Sequence, residues 1–327
     1  MPVNVRRKTM AAIWRHVVGY HERRTDPPAV NAPLLSQAEL AQILHGAQTL
    51  PLPWLPTCDV QHPQSGDFHS RTPGSGLDFE EARHYQPGDD IRRMDWRTTA
   101  RTGKPHLKTF HEEHQPQLHL VLDRGASMRF GTRHQLKVTQ AARIAALLAF
   151  VSARHHIAIG VTLWQPDGIM LPCRGGEDGV VQLVQAAIAP CPPLEPSAMP
   201  QAPSLADVLR ALNAQLPGGS RVVFISDLRQ FNAMDFPALA QLAAQHQVSA
   251  YQVLDPVECE LPDIGLRRFA DISSSHTSQL NTHNAAVRAT FNTESAALHQ
   301  TQRALLARAG IALQVCMTNE DILKKSA

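Results

Sequence analysis

The sequence predicts an α/β protein: a doubly wound, mostly parallel sheet preceded by an N-terminal helical and irregular or β extension. Two observations carry that expectation. From residue 116 onward, short aliphatic runs alternate with longer Ala- and Leu-rich stretches, the βαβ pattern of a sheet covered by helices on both faces. Two of the runs, Leu118–Leu122 and Arg221–Ser226, are apolar enough for buried strands, and each leads directly into an acid, Asp123 or Asp227.

Taken in order, residues 1–24 carry six basic side chains and one acid, Glu22. Met10, Ile13, Trp14, Val17 and Val18 fall on one helical face. A basic amphipathic helix of this kind suits either an anionic membrane surface or docking on its own domain. After a Pro-rich linker, Ser36 and Glu39 form a capping-box pattern, and Leu40, Ile43, Leu44 and Ala47 follow as one helical face. Residues 51–75 read as loop. Residues 71–113 hold eight basic and eight acidic residues with Leu77, Phe79, Tyr85, Ile91, Met94, Trp96, Leu107 and Phe110 interleaved. That mixture predicts ion pairs among Arg83, Asp89, Asp90, Arg92, Asp95, Arg97 and Arg101 around a Pro87-Gly88 turn, on a packed, irregular surface.

The main domain then reads as a strand at 118–122, a helix over 134–153, and a strand at 157–163. The Gln165-Pro-Asp-Gly turn returns the chain to an antiparallel neighbour at 168–172. Helices follow over 177–189 and 204–216, the second ended by Pro217-Gly-Gly. A strand at 221–226, a helix at 235–246, a strand at 248–254, a long helix over 283–309 closed by Gly310, and a strand at 311–316 complete it. Three regions result: 1–70, the basic helix, linker and short helical extension; 71–115, the charged segment packed on the main domain; and 116–327, the α/β domain.

Composition bounds the function. The 327 residues are 43% hydrophobic and 18% charged, as in an ordinary globular protein. A net charge of +2 gives no electrostatic footprint for nucleic acid. The five cysteines (Cys58, Cys173, Cys191, Cys259, Cys316) never form CxxC, which excludes the common zinc-finger spacings and a disulfide framework and fits a reducing compartment. The best apolar run, Ile144 to Ala153, has ten residues, against ~20 for a spanning helix. The expected location is the cytoplasm, with peripheral contact at the inner membrane surface through residues 1–24.

In a doubly wound sheet, ligands sit beyond the carboxyl ends of the strands. Asp123 and Asp227 both stand there, with Ser127 in the same loop as Asp123, and oxygen donors of this type suit a hard cation such as Mg²⁺. The alternative role for each Asp is to cap the segment that follows it. His111-Glu-Glu-His114 lacks the second histidine of H-E-x-x-H, and neither a P-loop nor a G-x-S-x-G elbow occurs.

The run from Gly76 through Arg-His-Tyr-Gln-Pro-Gly-Asp-Asp-Ile-Arg-Arg-Met-Asp-Trp-Arg to Arg101, with Leu122-Asp-Arg-Gly-Ala-Ser-Met, Ile225-Ser-Asp-Leu and Leu254-Asp-Pro-Val-Glu, resembles the family called "domain of unknown function 58". The likeness covers roughly residues 70 to 320. It implies a von Willebrand factor A-like fold and a MoxR-type AAA+ ATPase as partner. It also implies a divalent-cation site of the adhesion type, with Asp123, Ser127 and Asp227 as ligands and Ser204 as the nearest candidate for a missing Thr. Gly125 stands where that pattern has a serine, and Arg124 adds a nearby positive charge, so the site is expected to be weakened. The implied function is a non-enzymatic interaction module, an adaptor or co-chaperone that recruits an unknown client. Arg92, Asp95, Trp96, Arg97, Arg101 and Arg124 are the candidate partner-binding residues. The alternatives are a Mg²⁺- or Mn²⁺-dependent hydrolase using the same aspartates, and a membrane-surface scaffold.

Overall fold

A computed structural model describes residues 32–48, 73–85, 94–111, 117–132, 134–191, 202–270 and 277–323. The basic helix expected in residues 1–24, the Pro87-Gly88 turn, Asp89, Asp90 and Arg92 all lie outside these residues. The chain divides into two compact units, one of residues 62–116 and one of residues 1–61 with 117–327.

The first described element is helix α1 (Gln37–Ala47). Ser36 caps it in the expected capping box, its hydroxyl taking the Glu39 N–H while the Glu39 carboxylate takes the Ser36 N–H. Leu35, Ile43 and Ala47 are buried in the core of the larger unit, so this helix is part of the α/β domain.

The smaller unit contains strand β1 (Pro73–His84), helix α2 (Trp96–Thr102) and strand β2 (His106–His111). The two strands pair antiparallel, Phe79 opposite Phe110 and His84 opposite His106. Asp95 caps α2, accepting the N–H groups of Arg97 and Thr98 and the Thr98 hydroxyl. Gly103 ends the helix in the left-handed conformation (φ +70°), where a Cβ would be strained. The sequence expectation of loop through residue 75 overlaps the start of β1.

The larger unit is built on a six-stranded sheet. Its strands are β3 (Gln117–Asp123), β4 (Ala158–Trp164), β5 (Ile169–Arg174), β6 (Arg221–Ser226) and β7 (Gln247–Leu254), with β10 (Ala312–Met317) added last in the chain. The order across the sheet is β10-β7-β6-β3-β4-β5. All neighbours are parallel except the β4–β5 hairpin. Pro172 lies in β5, an edge strand, where a missing N–H is tolerated.

Alternation along the strands sets the two faces. Leu118, Leu120 and Leu122 of β3, with Ile159 and Val161 of β4, join one core; Val121, Val222 and Phe224 join the other. The first face is covered by α1, by α3 (Lys137–Arg154) and by α4 (Gly176–Ile188). The second is covered by α5 (Leu205–Gln215), α6 (Phe236–Gln245) and α8 (Ala285–Arg308), the last following a four-residue helix, α7 (Pro256–Cys259). Burying thirteen residues of α3 over the sheet removes several hundred Å² of apolar surface from water, at about 25 cal/mol per Å². The fold is the expected doubly wound α/β architecture. An unexpected hairpin, β8 (Leu266–Ala270) with β9 (Thr277–Asn281), precedes α8. Leu266-Arg-Arg-Phe-Ala has too little apolar alternation to mark a strand in sequence.

The chain leaves β3 through α3 to β4 on one side, then returns to place β6 on the other side of β3. The strand order therefore reverses between β3 and β6, and Asp123 and Asp227 stand at the carboxyl ends of those two neighbours.

A buried charge cluster at the switch point

Asp123 is the last residue of β3 and has no exposed surface. Its Oδ1 accepts the Gly125 N–H at 2.8 Å and its Oδ2 accepts the Ser226 hydroxyl at 2.6 Å. Burial, then the charge of Asp227, pushes its pKa up to about 7, against the opposing pull of those two hydrogen bonds and of Lys137. Ser226 Oγ in turn accepts the N–H of Leu228 at 3.0 Å. Leu228 is fully buried with φ +62°, a conformation costly for a branched side chain, and its carbonyl is held by Gln302 Nε2 at 2.9 Å.

Asp227 follows β6 and is also buried. The Lys137 ammonium lies 2.8 Å from its Oδ2, and the Arg229 N–H donates to its Oδ1 at 3.1 Å. Burial works to raise the Asp227 pKa, but Lys137 and Arg229 outweigh it and hold the carboxyl below its usual range. Lys137 also lies 2.7 Å from Oε1 of Glu258, which receives the Arg229 guanidinium at 2.9 Å. Glu258 sits in α7, just past the end of β7, and its Oε2 accepts the Asp255 N–H. Asp255 accepts the Thr132 N–H and hydroxyl, the Thr318 hydroxyl and the Val257 N–H, tying the loops after β3, β7 and β10 together. Of these charged groups only Arg229 reaches solvent, with 20% of its side chain exposed.

Asp123 and Asp227 are therefore brought together, as the alternation of strands implied. Ser127 lies half-buried on a 3-10 turn, Ala126–Arg129, and its hydroxyl is not among the partners of Asp123. Ser204 is exposed and caps α5, its hydroxyl bonded to the N–H and carboxylate of Asp207. In this structure its hydroxyl serves as the helix cap.

Arg124 also has a different role from the expected one. It is buried, and its guanidinium donates to the carbonyls of Ala186, Ala189 and Pro190 at the carboxyl end of α4. A buried side chain satisfying a helix terminus presents nothing to a partner. Asp95 is likewise buried under its capping bonds. Trp96 is 66% exposed, and Arg97 and Arg101 are exposed on the same short helix, so these three remain at the surface.

Gly125 lies close to the Asp123 carboxylate. A Cβ there would stand 3.0 Å from Asp123 Oδ1 and 3.6 Å from Gln230 Nε2. The Gly125 backbone is extended (φ −62°), so Gly125→Ser, which would restore the hydroxyl of an adhesion-type loop, displaces the carboxylate by only a few tenths of an ångström and should change stability by less than about 1 kcal/mol, read from the urea midpoint at unchanged m-value.

A resident divalent cation does not fit this donor set. Mg²⁺ needs oxygens with free lone pairs and no competing cation among them. Here the Lys137 ammonium already lies 2.8 Å from Asp227 Oδ2 and 2.7 Å from Glu258 Oε1, so a competing cation occupies the position between the strand-end acids. Among the described residues no three His, Cys, Asp or Glu side chains converge as a metal ion would require.

Sequence reasoning missed Lys137, Glu258 and Asp255. Asp255 obeys the same rule as the other two acids, following a buried strand. Lys137 carried a subtler signal: it is the first residue of α3, where a positive charge opposes the helix dipole, so the helix itself gains nothing from it.

Fold and cluster together define a doubly wound α/β protein with a closed, self-neutralised charge cluster at its switch point. The chain belongs to the family described as "Protein of unknown function DUF58", whose model matches residues 81–302. It is 35% identical over 207 residues to the uncharacterized protein Rv1480 of Mycobacterium tuberculosis and, equally, to the uncharacterized protein Mb1516 of Mycobacterium bovis. Each match spans 61% of this chain and 62% of the relative's length. Among solved structures, the chain is similar to the conserved hypothetical protein BatB of Bacteroides thetaiotaomicron, at 16% identity and a TM-score of 0.37, over 59% of this chain and 99% of that one. An aerotolerance-related membrane protein of Bacteroides fragilis matches at 15% identity and a TM-score of 0.37, over 58% and 99%. Among the described residues, no helix is long and apolar enough to cross a membrane.

Proposed function

We infer that this chain is a protein-interaction module with a von Willebrand factor A-like domain, acting as an adaptor or co-chaperone of a MoxR-type AAA+ ATPase. The observation that supports this reading is the burial of the switch-point carboxylates beside an exposed connection. Asp123 and Asp227 are buried, and Asp227 is paired with the Lys137 ammonium, so neither carboxylate faces solvent where a substrate would meet it, whereas the connection leaving β6 presents Met234 with 87% of its surface exposed. Methionine is enriched at the cores of protein–protein interfaces. The ATPase as partner rests on family resemblance. The same reading places the chain in the cytoplasm, with residues 1–24 available for peripheral contact at the inner membrane surface.

The test is pull-down of the cognate MoxR-type ATPase by the full chain and by Met234→Asp. The exposed site tolerates the charge without loss of fold, and affinity should fall about tenfold or more, or ~1.4 kcal/mol. Absence of binding by the wild type overturns the ATPase as partner; binding unchanged in the variant with its thermal transition intact removes the β6 connection as the contact.

A further inference from the structure

We propose that Lys137 is a built-in cation: its ammonium neutralises the carboxylates that close the switch-point crevice, so the crevice is assembled without a bound metal ion. This concerns the chain alone and stands whether or not the partner reading holds.

Position is the first argument. Lys137 opens α3 at its dipole-positive end, with no exposed surface. Burying an ammonium carries a large desolvation cost that only close, well-bonded anions offset. Those anions are present, from two different loops: Asp227 at 2.8 Å after β6 and Glu258 at 2.7 Å after β7. The Phe130 ring, 6.0 Å from the ammonium, lies over a further side. One point charge thus bridges the ends of two neighbouring strands.

Charge balance is the second argument. The groups paired by charge are two carboxylates, Asp227 and Glu258, and two cations, Lys137 and Arg229, with Asp123 beside Asp227 and Asp255 held separately by Thr132, Thr318 and Val257. The two ion-paired carboxylates thus meet two positive charges, and burial together with the neighbouring Asp227 raises the Asp123 pKa to about 7, which disfavours a further full negative charge there. An added divalent cation would have to displace the ammonium or sit against it at a few ångströms, where like charges repel strongly in a buried setting.

The experiment uses the full chain and reads thermal unfolding. After EDTA, and again in millimolar Mg²⁺ or Mn²⁺, the wild-type Tm should be the same, or should show a shift that Asp123→Ala retains because the metal binds elsewhere. A metal-dependent rise that Asp123→Ala abolishes overturns the proposal. Lys137→Met keeps the stem and deletes the charge, and its Tm should fall by roughly 10 °C. Adding Asp227→Asn and Glu258→Gln to Lys137→Met deletes the stranded anions as well, and most of the loss should return. Arg229, part-exposed, is left solvated in that triple variant. An unchanged Tm in Lys137→Met, or no recovery in the triple variant, shows that Lys137 acts by packing and sinks the proposal.

Discussion

Asp227→Ala should destabilise the chain by about 3–5 kcal/mol, because it strips one anion from a fully buried lysine and leaves an uncompensated charge. Glu258 alone would then face Lys137 and Arg229, and the Arg229 N–H would lose its acceptor as well. The measurement is chemical unfolding at neutral pH, comparing Asp227→Ala with Asp227→Asn. The amide keeps the shape and the Arg229 acceptor, so the difference between the variants isolates hydrogen bonding, and their shared loss reports the charge. A loss below about 1 kcal/mol in Asp227→Ala would mean that Lys137 finds water when unpaired. For the same reason Asp227→Ala cannot probe partner binding, since it perturbs the fold; an exposed position such as Met234 is the cleaner probe.

The second large effect is acid sensitivity at His119. This side chain points from β3 into the interior, with no exposed surface, its Nε2 2.8 Å from Thr162 Oγ1 and its Nδ1 3.7 Å from Cys173 Sγ. Burial lowers its pKa from 6.5 to about 4. The unfolded chain takes up a proton near pH 6.5 and the folded chain resists it down to about pH 4, so stability is fully present above 6.5 and is lost as pH falls through that window. At 1.36 kcal/mol per pKa unit the loss is about 3 kcal/mol. Asp123 works the other way. Its raised pKa makes its ionised form a cost that grows as pH rises from 3.8 to about 7 and is relieved on acidification. The two titrations oppose each other, so the wild-type profile alone reports neither. The difference between His119→Gln and wild type removes the Asp123 contribution, which both share. That difference should be about 1 kcal/mol against the variant at neutral pH, for the weakened Thr162 bond, and should reverse in sign below about pH 5. A difference that stays constant from pH 7 to 4 would show that His119 is not held neutral.

Much of the site was legible in the residues. Asp123 and Asp227 were visible because a buried strand leading into an acid places a carboxylate at the sheet's functional end, and the β4–β5 hairpin was visible in its turn chemistry. Asp255 followed the same rule and was readable. Ser204, by contrast, sits before a helix with Asp207 three residues on, and local capping claimed it. Arg124 stood next to an acid in sequence, yet its long side chain reached the carbonyls at the end of α4, some sixty residues away. The hairpin β8–β9 and the short helix α2 lacked the periodicity by which elements are recognised.

What the sequence determined by itself was the doubly wound sheet, since alternation with period two in the strands and 3.6 in the helices admits few other ways to bury both sets of apolar residues. It also determined the family, through the long Arg-His-Tyr-Gln-Pro-Gly-Asp-Asp run and its companions. Only the tertiary structure decided what the strand-end acids face. Lys137 lies 90 residues before Asp227 and 121 before Glu258. Nothing local records such a meeting, because an ammonium finds its anions only once packing has removed the water that would otherwise solvate all three.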